Sequence, residues 1–337
     1  MTEPLLAVEA LQTYFFSGQT VVKAVDGASF EIRAGETLGL VGESGSGKSV
    51  TGRSILRLVP RPGRIVGGQI RLKGTDLLAL SESEMRRVRG AQIATVPQDP
   101  LSSLNPAFKI KDQITDVLRL HRGLKGKAAT RFAADLLARV GIPDPERVLD
   151  KYPHQLSGGM RQRVLITIAF SCDPALIIAD EPTSALDVTT QAQIVRLLFD
   201  LQKQTQVAMI LITHDLGLVS KVCDRVVIMY AGRVMEQAPV EELFQRPANP
   251  YTRALMRAIP SLAARQETLY NIPGSIADRP GEGGRCPFLP RCQEKVPACE
   301  ENDLPPLTAI RRDHGSACWL HTLPQAEPRP EETETTP

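Results

Sequence analysis

The chain has 337 residues, of which 42% are hydrophobic, enough for one large domain and a smaller one. Its 40 Lys and Arg nearly balance its 38 Asp and Glu, so the formal charge is only +2. This balance argues against a dedicated nucleic-acid binder, which usually has a basic surplus. No apolar run approaches the roughly eighteen residues that cross a bilayer, and the first residues do not form a signal peptide. We therefore expect a cytosolic protein.

The N-terminal part predicts strands that lead into a glycine-rich loop. Residues 5–14 and 21–32 are rich in apolar and β-branched residues and are predicted strands. Residues 37–41, TLGLV, are apolar on both faces, which is typical of a central strand in a covered parallel sheet. The loop follows this strand directly, and a helix is predicted over about residues 48–58.

Farther along the chain, a long helical block interrupts the strands. Residues 110–170 have helical periodicity, broken at two glycine-containing turns, and residues 226–235 are typical of a hairpin. Three short apolar strands, each ending in polar residues, are predicted at 93–96, 175–179 and 208–212. The pattern predicts an α/β core with a helical insertion.

The glycine-rich loop is the first segment that carries chemistry. Its residues are Gly42, Glu43, Ser44, Gly45, Ser46, Gly47, Lys48 and Ser49. Backbone amides in such a loop, with the N-terminus of the next helix, cradle phosphate groups. Lys48 supplies a positive charge to the β- and γ-phosphates, and the Ser49 hydroxyl is placed to ligate Mg²⁺. This motif indicates a P-loop NTPase and suits a kinase or GTPase equally well.

Two adjacent carboxylates follow the predicted strand at 175–179. Strands of this class deliver such groups to the edge of the sheet where the phosphate loop lies. Asp180 would hold Mg²⁺ through water, and Glu181 would act as the general base for the attacking water. By itself this pair is equally compatible with a solvated acidic turn, but together with the loop it favours a hydrolytic site.

The segment LSGGMRQR, residues 156–163, separates the NTPase families. Its Ser157, Gly158 and Gly159 open a helix and form a second anion-binding turn. One nucleotide does not need two such sites in one chain, but two facing copies do. Here the sequence resembles the ATP-binding cassette (ABC) family, whose signature turn binds the ATP held by the opposite subunit. Met160 stands where the family usually has Gln.

The resemblance implies roles for three more residues. Gln98, before Asp99, resembles the Q-loop glutamine that reaches Mg²⁺ and the attacking water. Asp187 ends a segment similar to the D-loop, which couples two sites across a dimer. His214 resembles the switch histidine that contacts the γ-phosphate. The resemblance therefore implies Glu181, His214, Gln98 and Lys48 as catalytic residues and Ser49, Gln98 and Asp180 as the Mg²⁺ site.

The sequence offers several candidates for the residue that contacts the adenine ring of the nucleotide. Tyr14 is placed like the aromatic residue that stacks on adenine in this family. Phe15 or Phe16 could do this instead, and any of the three could be a core residue. Val50 follows the phosphate loop and is included in the predicted nucleotide site.

The resemblance covers about residues 5–250 and implies a RecA-like P-loop ATPase core with an inserted helical subdomain and a small cysteine-rich C-terminal extension. The predicted core is formed by residues 1–98 and 171–250. The other predicted parts are the helical subdomain with the signature at 99–170, the extension at 251–325 and a disordered tail at 326–337.

The C-terminal extension resembles that of one subfamily of ABC proteins. Residues 247–260 and the segment CPFLPRC, residues 286–292, look like the C-terminal region of peptide and nickel importer ATPases, the D-type subunits of dipeptide and oligopeptide permeases. Dipeptide-type members are associated with a 4Fe–4S cluster here. The four candidate ligands are Cys286, Cys292, Cys299 and Cys318. Zinc also fits four thiolates, although the spacing lacks the CxxC pairs of zinc ribbons.

These likenesses imply an ATPase that energises import of di- or oligopeptides, at the cytoplasmic face of the inner membrane as a peripheral subunit. The implied partners are a second ATPase, expected to be a paralogue in a heterodimer, two permease subunits and an extracytoplasmic peptide-binding protein, without nucleic acid. Nickel, glutathione or another solute remains an alternative cargo. A soluble ABC ATPase of DNA repair or translation is the alternative from a different class.

Overall fold

A computed structural model describes residues 3–258, 271–276 and 284–322. Its strands are β1 Leu6–Ser17, β2 Thr20–Ile32, β3 Thr37–Val41, β4 Gly63–Leu72, β5 Thr75–Asp76, β6 Ile93–Val96, β7 Leu176–Asp180, β8 Ala208–Thr213, β9 Arg225–Tyr230, β10 Arg233–Pro239, β11 Thr308–Arg311 and β12 His314–Ser316. The predicted tail at 326–337 and residues 259–270, 277–283 and 323–325 of the predicted extension lie outside the described residues.

The helices alternate with these strands. They are α1 Lys48–Ile55, α2 Glu82–Val88, α3 Pro100–Ser103, α4 Ile110–Arg122, α5 Gly126–Arg139, α6 Pro145–Leu149, α7 Gly158–Phe170, α8 Val188–Thr205, α9 Leu216–Val222, α10 Val240–Gln245, α11 Pro250–Arg257, α12 Pro297–Glu301 and α13 Trp319–Thr322. Within the described ranges, none of them combines the length and apolar character that crossing a membrane requires.

The main sheet has the strand order β11-β12-β10-β9-β3-β8-β7-β6. Strands β9, β3, β8, β7 and β6 run parallel, as the continuous apolar segments predicted. All five residues of β3 are buried, and the strand lies between β8 and β9. The carboxyl end of β3 therefore opens at the edge of the sheet where β7 and β8 also end.

A second sheet, with the order β2-β1-β4-β5, is antiparallel. One face of it packs on the main sheet around α1, where Leu6, Leu11, Leu40, Ile55 and Ile212 are fully buried. This packing fixes α1, and with it the end of the phosphate loop, between the two sheets.

The helical block from α3 to α7 is inserted between β6 and β7. On α4 the residues Ile110, Ile114 and Leu118 recur at four-residue spacing and are fully buried. The helix ends at Gly123, which has a φ of +69° and caps it in the left-handed conformation. The block shares its core with α7, α8 and the main sheet.

Several boundaries differ from the sequence-based expectations. Helix α1 ends at Ile55 rather than near Leu58, because Arg57 has a φ of +53° and turns the chain away. Strand β4, which pairs with β1, and the two short strands β11 and β12 were not predicted. Strand β12 pairs with β10, so the C-terminal extension adds its strands to the edge of the main sheet.

Candidate functional site

The phosphate loop connects β3 to α1, and two of its glycines are required by their surroundings. A Cβ at Gly42 would collide with the backbone carbonyl oxygen of Met229. Gly47 has a φ of +103°, and a Cβ there would collide with the carbonyl oxygen of Ala24. The loop can therefore follow this path only because these positions lack side chains.

Lys48 is the first residue of α1, near the end of the loop, and is buried. Its Nζ donates to the carbonyl oxygens of Gly42 at 2.7 Å and Glu43 at 2.9 Å. Burial lowers the pKa of Lys48, and the carboxylates of Glu181, Asp180 and Glu43 oppose that shift. An ammonium group held by neutral carbonyls at the start of α1 suits an anionic ligand such as a polyphosphate.

Two of the three predicted Mg²⁺ ligands are in direct contact. Ser49 Oγ donates to Asp180 Oδ1 at 2.8 Å, which joins the start of α1 to the end of β7. Burial raises the pKa of Asp180, although the Ser49 hydrogen bond lowers it. Mg²⁺ prefers oxygen ligands such as hydroxyl and carboxylate oxygens, so the Ser49–Asp180 pair fits the ion.

Glu181 is the meeting point of three strand ends. Gln98, after β6, donates from Nε2 to Glu181 Oε2 at 3.1 Å. His214, after β8, places Nδ1 3.1 Å from Glu181 Oε1. The Glu181 amide donates to the carbonyl of Ile212 at 2.9 Å. The structure thus brings the predicted residues Gln98, Glu181 and His214 together, while the third predicted Mg²⁺ ligand, Gln98, contacts Glu181 instead of Asp180.

The predicted signature and D-loop residues lie side by side at two helix starts. Ser157 caps α7 by accepting from the Met160 amide at 3.3 Å, and Asp187 caps α8 by accepting from Thr190 at 3.0 Å. A Cβ on Gly158 would approach Leu186, and one on Gly159 would press on Thr190. Ser157 and Gly158 are exposed, so the turn is open to a ligand from outside.

Tyr14 lies on β1 and is held by a carboxylate. Its hydroxyl donates to Asp26 at 2.7 Å, and burial together with this bond raises the pKa of Tyr14 to about 12. The Lys23 ammonium lies 5.6 Å from the centre of the ring. Phe16, one of the alternatives, instead stacks under the guanidinium of Arg64. The predicted adenine contact of Tyr14 stays a prediction, as does the inclusion of Val50.

The four C-terminal cysteines line one small cavity. Phe288, Met235 and Trp319 are among the other residues of its wall, and its volume is about 20 Å³. Burial raises the pKa of Cys286 to about 12 and that of Cys318 to about 11, and the neighbouring thiols add to both shifts. In the described ranges, no three His, Cys, Asp or Glu side chains are arranged to hold one metal ion. The predicted cluster or zinc ion is therefore not established by this arrangement.

Two residues of the extension reach the phosphate loop, and no sequence motif predicted either contact. The hydroxyl of Tyr251 accepts from the backbone amide of Glu43 at 3.0 Å. Arg291 donates from Nη1 to the carboxylate of Glu43 at 2.9 Å. More than 200 residues separate the partners of each pair, so only the fold reveals them.

Known proteins match the chain along nearly all of its length. A probable peptide ABC transporter ATP-binding protein of Sinorhizobium fredii is 48% identical over 94% of this chain and 94% of its own. A putative peptide import ATP-binding protein of Brucella melitensis is 46% identical over 94% of this chain and 97% of its own. The chain belongs to the ABC transporter family of ATP-binding proteins. The family described as ABC transporter matches residues 25–184, and the oligopeptide/dipeptide transporter C-terminal region matches residues 235–299.

Solved ABC structures have the same fold. A dimeric ATP-binding cassette in a post-hydrolysis state with ADP and phosphate is similar with a TM-score of 0.63 and 26% identity, covering 70% of this chain and 98% of its own. A cassette of Clostridium perfringens has a TM-score of 0.60 and 27% identity, covering 73% and 92%. The predicted α/β P-loop ATPase fold of this ABC protein is confirmed, and its cysteine-rich extension stays a prediction.

Proposed function

We propose that this ABC ATPase hydrolyses ATP to energise the import of di- or oligopeptides through a membrane permease. The observation that carries the proposal is the position of Glu181. Its carboxylate is held between Gln98 and His214 at 3.1 Å from each. Asp180, the residue immediately before Glu181, is paired with Ser49. A base, its two orienting partners and a candidate ion site are thus assembled at one edge of the sheet.

The proposed chemistry assigns each side chain a task. Lys48 and the loop amides bind the phosphates, and Ser49, Asp180 and Gln98 would hold Mg²⁺. When bound, Mg²⁺ neutralises charge that develops on the phosphate oxygens. Glu181 orients the attacking water and accepts its proton. Gln98 and His214 fix the carboxylate so that one oxygen faces the water, and His214, which is largely exposed, can also turn toward the γ-phosphate.

A second cassette is part of the proposal. Ser157, Gly158, Gly159 and Asp187 would close over the ATP held by the opposite subunit, because the exposed α7 turn offers a hydroxyl, amides and the positive end of a helix. The dimeric cassette with ADP and phosphate supports this arrangement. We propose residues 1–98 and 171–250 as the ATP-binding core, 99–170 as the helical subdomain that meets the permease, and 251–325 as the extension.

The names of the relatives support the proposed cargo. Both proteins described above are named as peptide transport or import ATP-binding proteins. We propose a paralogous second ATPase, two permease subunits and an extracytoplasmic peptide-binding protein as partners. The subunit would be peripheral on the cytoplasmic face of the inner membrane.

We also propose that the four C-terminal cysteines hold a 4Fe–4S cluster, with zinc as the alternative. All four thiols line one cavity, and a set of four cysteines is the usual ligand set of such a cluster. The cavity of about 20 Å³ holds little more than a water molecule.

Purification of the chain from its native cells in mild detergent tests the assignment. We expect integral membrane permease subunits to co-purify and peptide-loaded binding protein to stimulate ATP hydrolysis by the complex. Stimulation by a nickel chelate or glutathione, but not by peptides, would assign a different cargo. Recovery of the chain with DNA or ribosomes and without permease subunits would contradict the importer function.

A further inference from the structure

The segment from Cys286 to Cys292, here called the cysteine loop, touches the phosphate loop through Arg291. The side chain of Arg291 is only 4% exposed. Its Nη1 donates to Glu43 at 2.9 Å and to the hydroxyl of Tyr230 at 3.1 Å. The Glu43 side chain is 26% exposed, so the contact is partly buried, and an ion pair there is screened less than one fully at the surface.

The guanidinium is fixed on its other side as well. Nε donates to the carbonyl oxygen of Pro273 at 2.8 Å, and Nη2 donates to that of Ile272 at 3.2 Å. Because a guanidinium carries several donors in one rigid plane, it can bind the carboxylate of Glu43 and these carbonyls at the same time. Arg291 therefore joins the cysteine loop, residues 272–273 and the phosphate loop.

Aromatic packing couples the same two loops a second time. Phe288 of the cysteine loop packs against the rings of Tyr230 and Tyr251, with centroids 5.4 Å and 5.1 Å apart. The hydroxyl of Tyr251 in turn accepts a hydrogen bond from the backbone amide of Glu43. The backbone and the carboxylate of Glu43 are thus both held by groups that rest on the extension.

The cysteines lie at the ends of the turn that presents these groups. The Leu289 amide donates to the carbonyl of Cys286 at 3.1 Å, and the Cys292 amide donates to the carbonyl of Leu289 at 3.3 Å. Phe288 and Arg291 lie between the two cysteines. The backbone that carries Arg291 is therefore part of the same hydrogen-bonded turn as the two cysteines.

The charge of Glu43 makes this contact relevant to nucleotide binding. Glu43 is a carboxylate within a loop that binds phosphates, and its Oε1 is buried without a hydrogen-bond partner among the described residues. Without a cation beside it, the carboxylate would repel a polyphosphate in the same loop. Arg291 offsets that charge.

We propose that Arg291 is a positioning residue for ATP binding: it neutralises and holds Glu43, and so couples the cysteine loop to the affinity of the phosphate loop for nucleotide. The inference rests on the proposed ATPase function. Beyond that function, we infer that the C-terminal extension influences the affinity for nucleotide. This inference does not depend on what the four thiols bind.

The test is equilibrium binding of ATP to the full-length chain and its variants. Arg291→Gln should weaken binding on the order of tenfold, because Glu43 is left charged and unpaired beside the phosphates. Arg291→Lys, which keeps the charge, should bind within fivefold of the unaltered chain. The double variant Arg291→Gln/Glu43→Gln should regain most of the lost affinity, because the repelling charge is gone.

The rescue distinguishes electrostatic positioning from a merely structural role. A purely structural arginine would not be replaced by neutralising Glu43, so a double variant as weak as Arg291→Gln overturns the proposal. Equal affinity of Arg291→Gln and the unaltered chain overturns it too. As the matched control, Lys295→Ala breaks an exposed ion pair with Glu300 in the same region and should bind ATP normally.

Thermal unfolding confirms that each variant is folded. If Arg291→Gln does not fold, the ATP affinity of Arg291→Lys is the deciding measurement. Lysine retains the positive charge, so an affinity loss of more than fivefold contradicts the proposal and a smaller loss supports it. Different results refute the proposed function and the role of Arg291. An unaltered chain that does not bind ATP refutes the proposed function, whereas normal ATP binding by the unaltered chain and by Arg291→Gln refutes only this inference.

Discussion

The Ser49 hydroxyl donates to the carboxylate of Asp180 across 2.8 Å, although 131 residues separate the two in the chain. Ser49 is the second residue of α1, and Asp180 is the last residue of β7. The contact exists because α1 packs between the two sheets and β7 ends at the same edge as β3. Both oxygens therefore face the space beside Lys48, where the proposed Mg²⁺ would be held.

Replacing Asp180 by Asn should raise the Mg²⁺ concentration needed for half-maximal ATP hydrolysis by about 10- to 100-fold, because an amide oxygen lacks the charge that attracts the ion. ATP binding without Mg²⁺ should change little. A Mg²⁺ titration of hydrolysis by the purified transporter measures the effect. Asp150→Asn, which alters an exposed surface pair, serves as the control. An unchanged Mg²⁺ midpoint would rule out Asp180 as part of the ion site.

The contact between Tyr14 and Asp26 predicts a pH-dependent stability. Burial raises the pKa of Asp26, but hydrogen bonds from Tyr14 and Arg233 lower it by more, so it lies below its usual value. A carboxyl group of this kind stabilises the folded state above the unfolded-state pKa of about 3.9. The contribution is lost as the pH falls through the folded-state pKa.

Asp26→Asn should therefore lower the free energy of unfolding at neutral pH by roughly 1–3 kcal/mol, since it weakens hydrogen bonds to a charged group. The difference from the unaltered chain should shrink below about pH 4. Urea unfolding at several pH values measures it. A difference that stays constant down to acid pH would show that the charge of Asp26 is not the cause.

The exposed α7 turn predicts a variant that separates helix capping from binding in trans. Asp is as good a helix N-cap as Ser, so Ser157→Asp should change the free energy of unfolding by less than about 0.5 kcal/mol. Its negative charge should repel the phosphates held by the facing cassette. ATP-dependent dimerisation, followed by light scattering, should be lost. Dimers that persist in Ser157→Asp would exclude this turn from the second cassette's site.

Cys292→Ser tests the proposed cluster. Anaerobically prepared chain should be brown, with absorption near the blue edge of the visible spectrum, and the variant should lose this colour because one of four ligands is missing. Cys172→Ser, outside the cavity, is the matched control and should keep it. Metal analysis of the unaltered chain completes the test. Stoichiometric zinc without iron would show that the cluster assignment is wrong.

The sequence predicted the parts of the fold that depend on local pattern. Strands β3 and β6 begin and end as expected, because a continuous apolar run bounded by turn residues has few alternatives. The hairpin of β9 and β10 was also predicted, and its turn at Ala231 and Gly232 has positive φ values, but β10 continues to Pro239 rather than ending at residue 235. Strand β4 was missed because three glycines weaken its apolar pattern, and only pairing with β1 defines it.

In the candidate site, too, only the features that depend on local sequence could be predicted. The motif residues could be named from the sequence, but the residues that they contact could not. Nothing local indicates that Gln98 and His214 meet on one carboxylate, or that Arg291 reaches Glu43 from the cysteine loop. These contacts follow from strand order and from the packing of the extension, which are properties of the whole chain. The small cavity around the thiols likewise required the fold.

The most direct test of the account is ATP turnover by the Glu181→Gln variant in the purified transporter. Glutamine keeps the shape of Glu181, and its amide oxygen can still accept the hydrogen bond from Gln98, but it cannot accept the proton of the attacking water. We predict unaltered ATP binding, a closed dimer that retains ATP, and hydrolysis reduced by about 10²- to 10⁴-fold, with peptide uptake lost. Hydrolysis within a few-fold of the unaltered transporter would contradict the general-base role of Glu181 and the mechanism built on it.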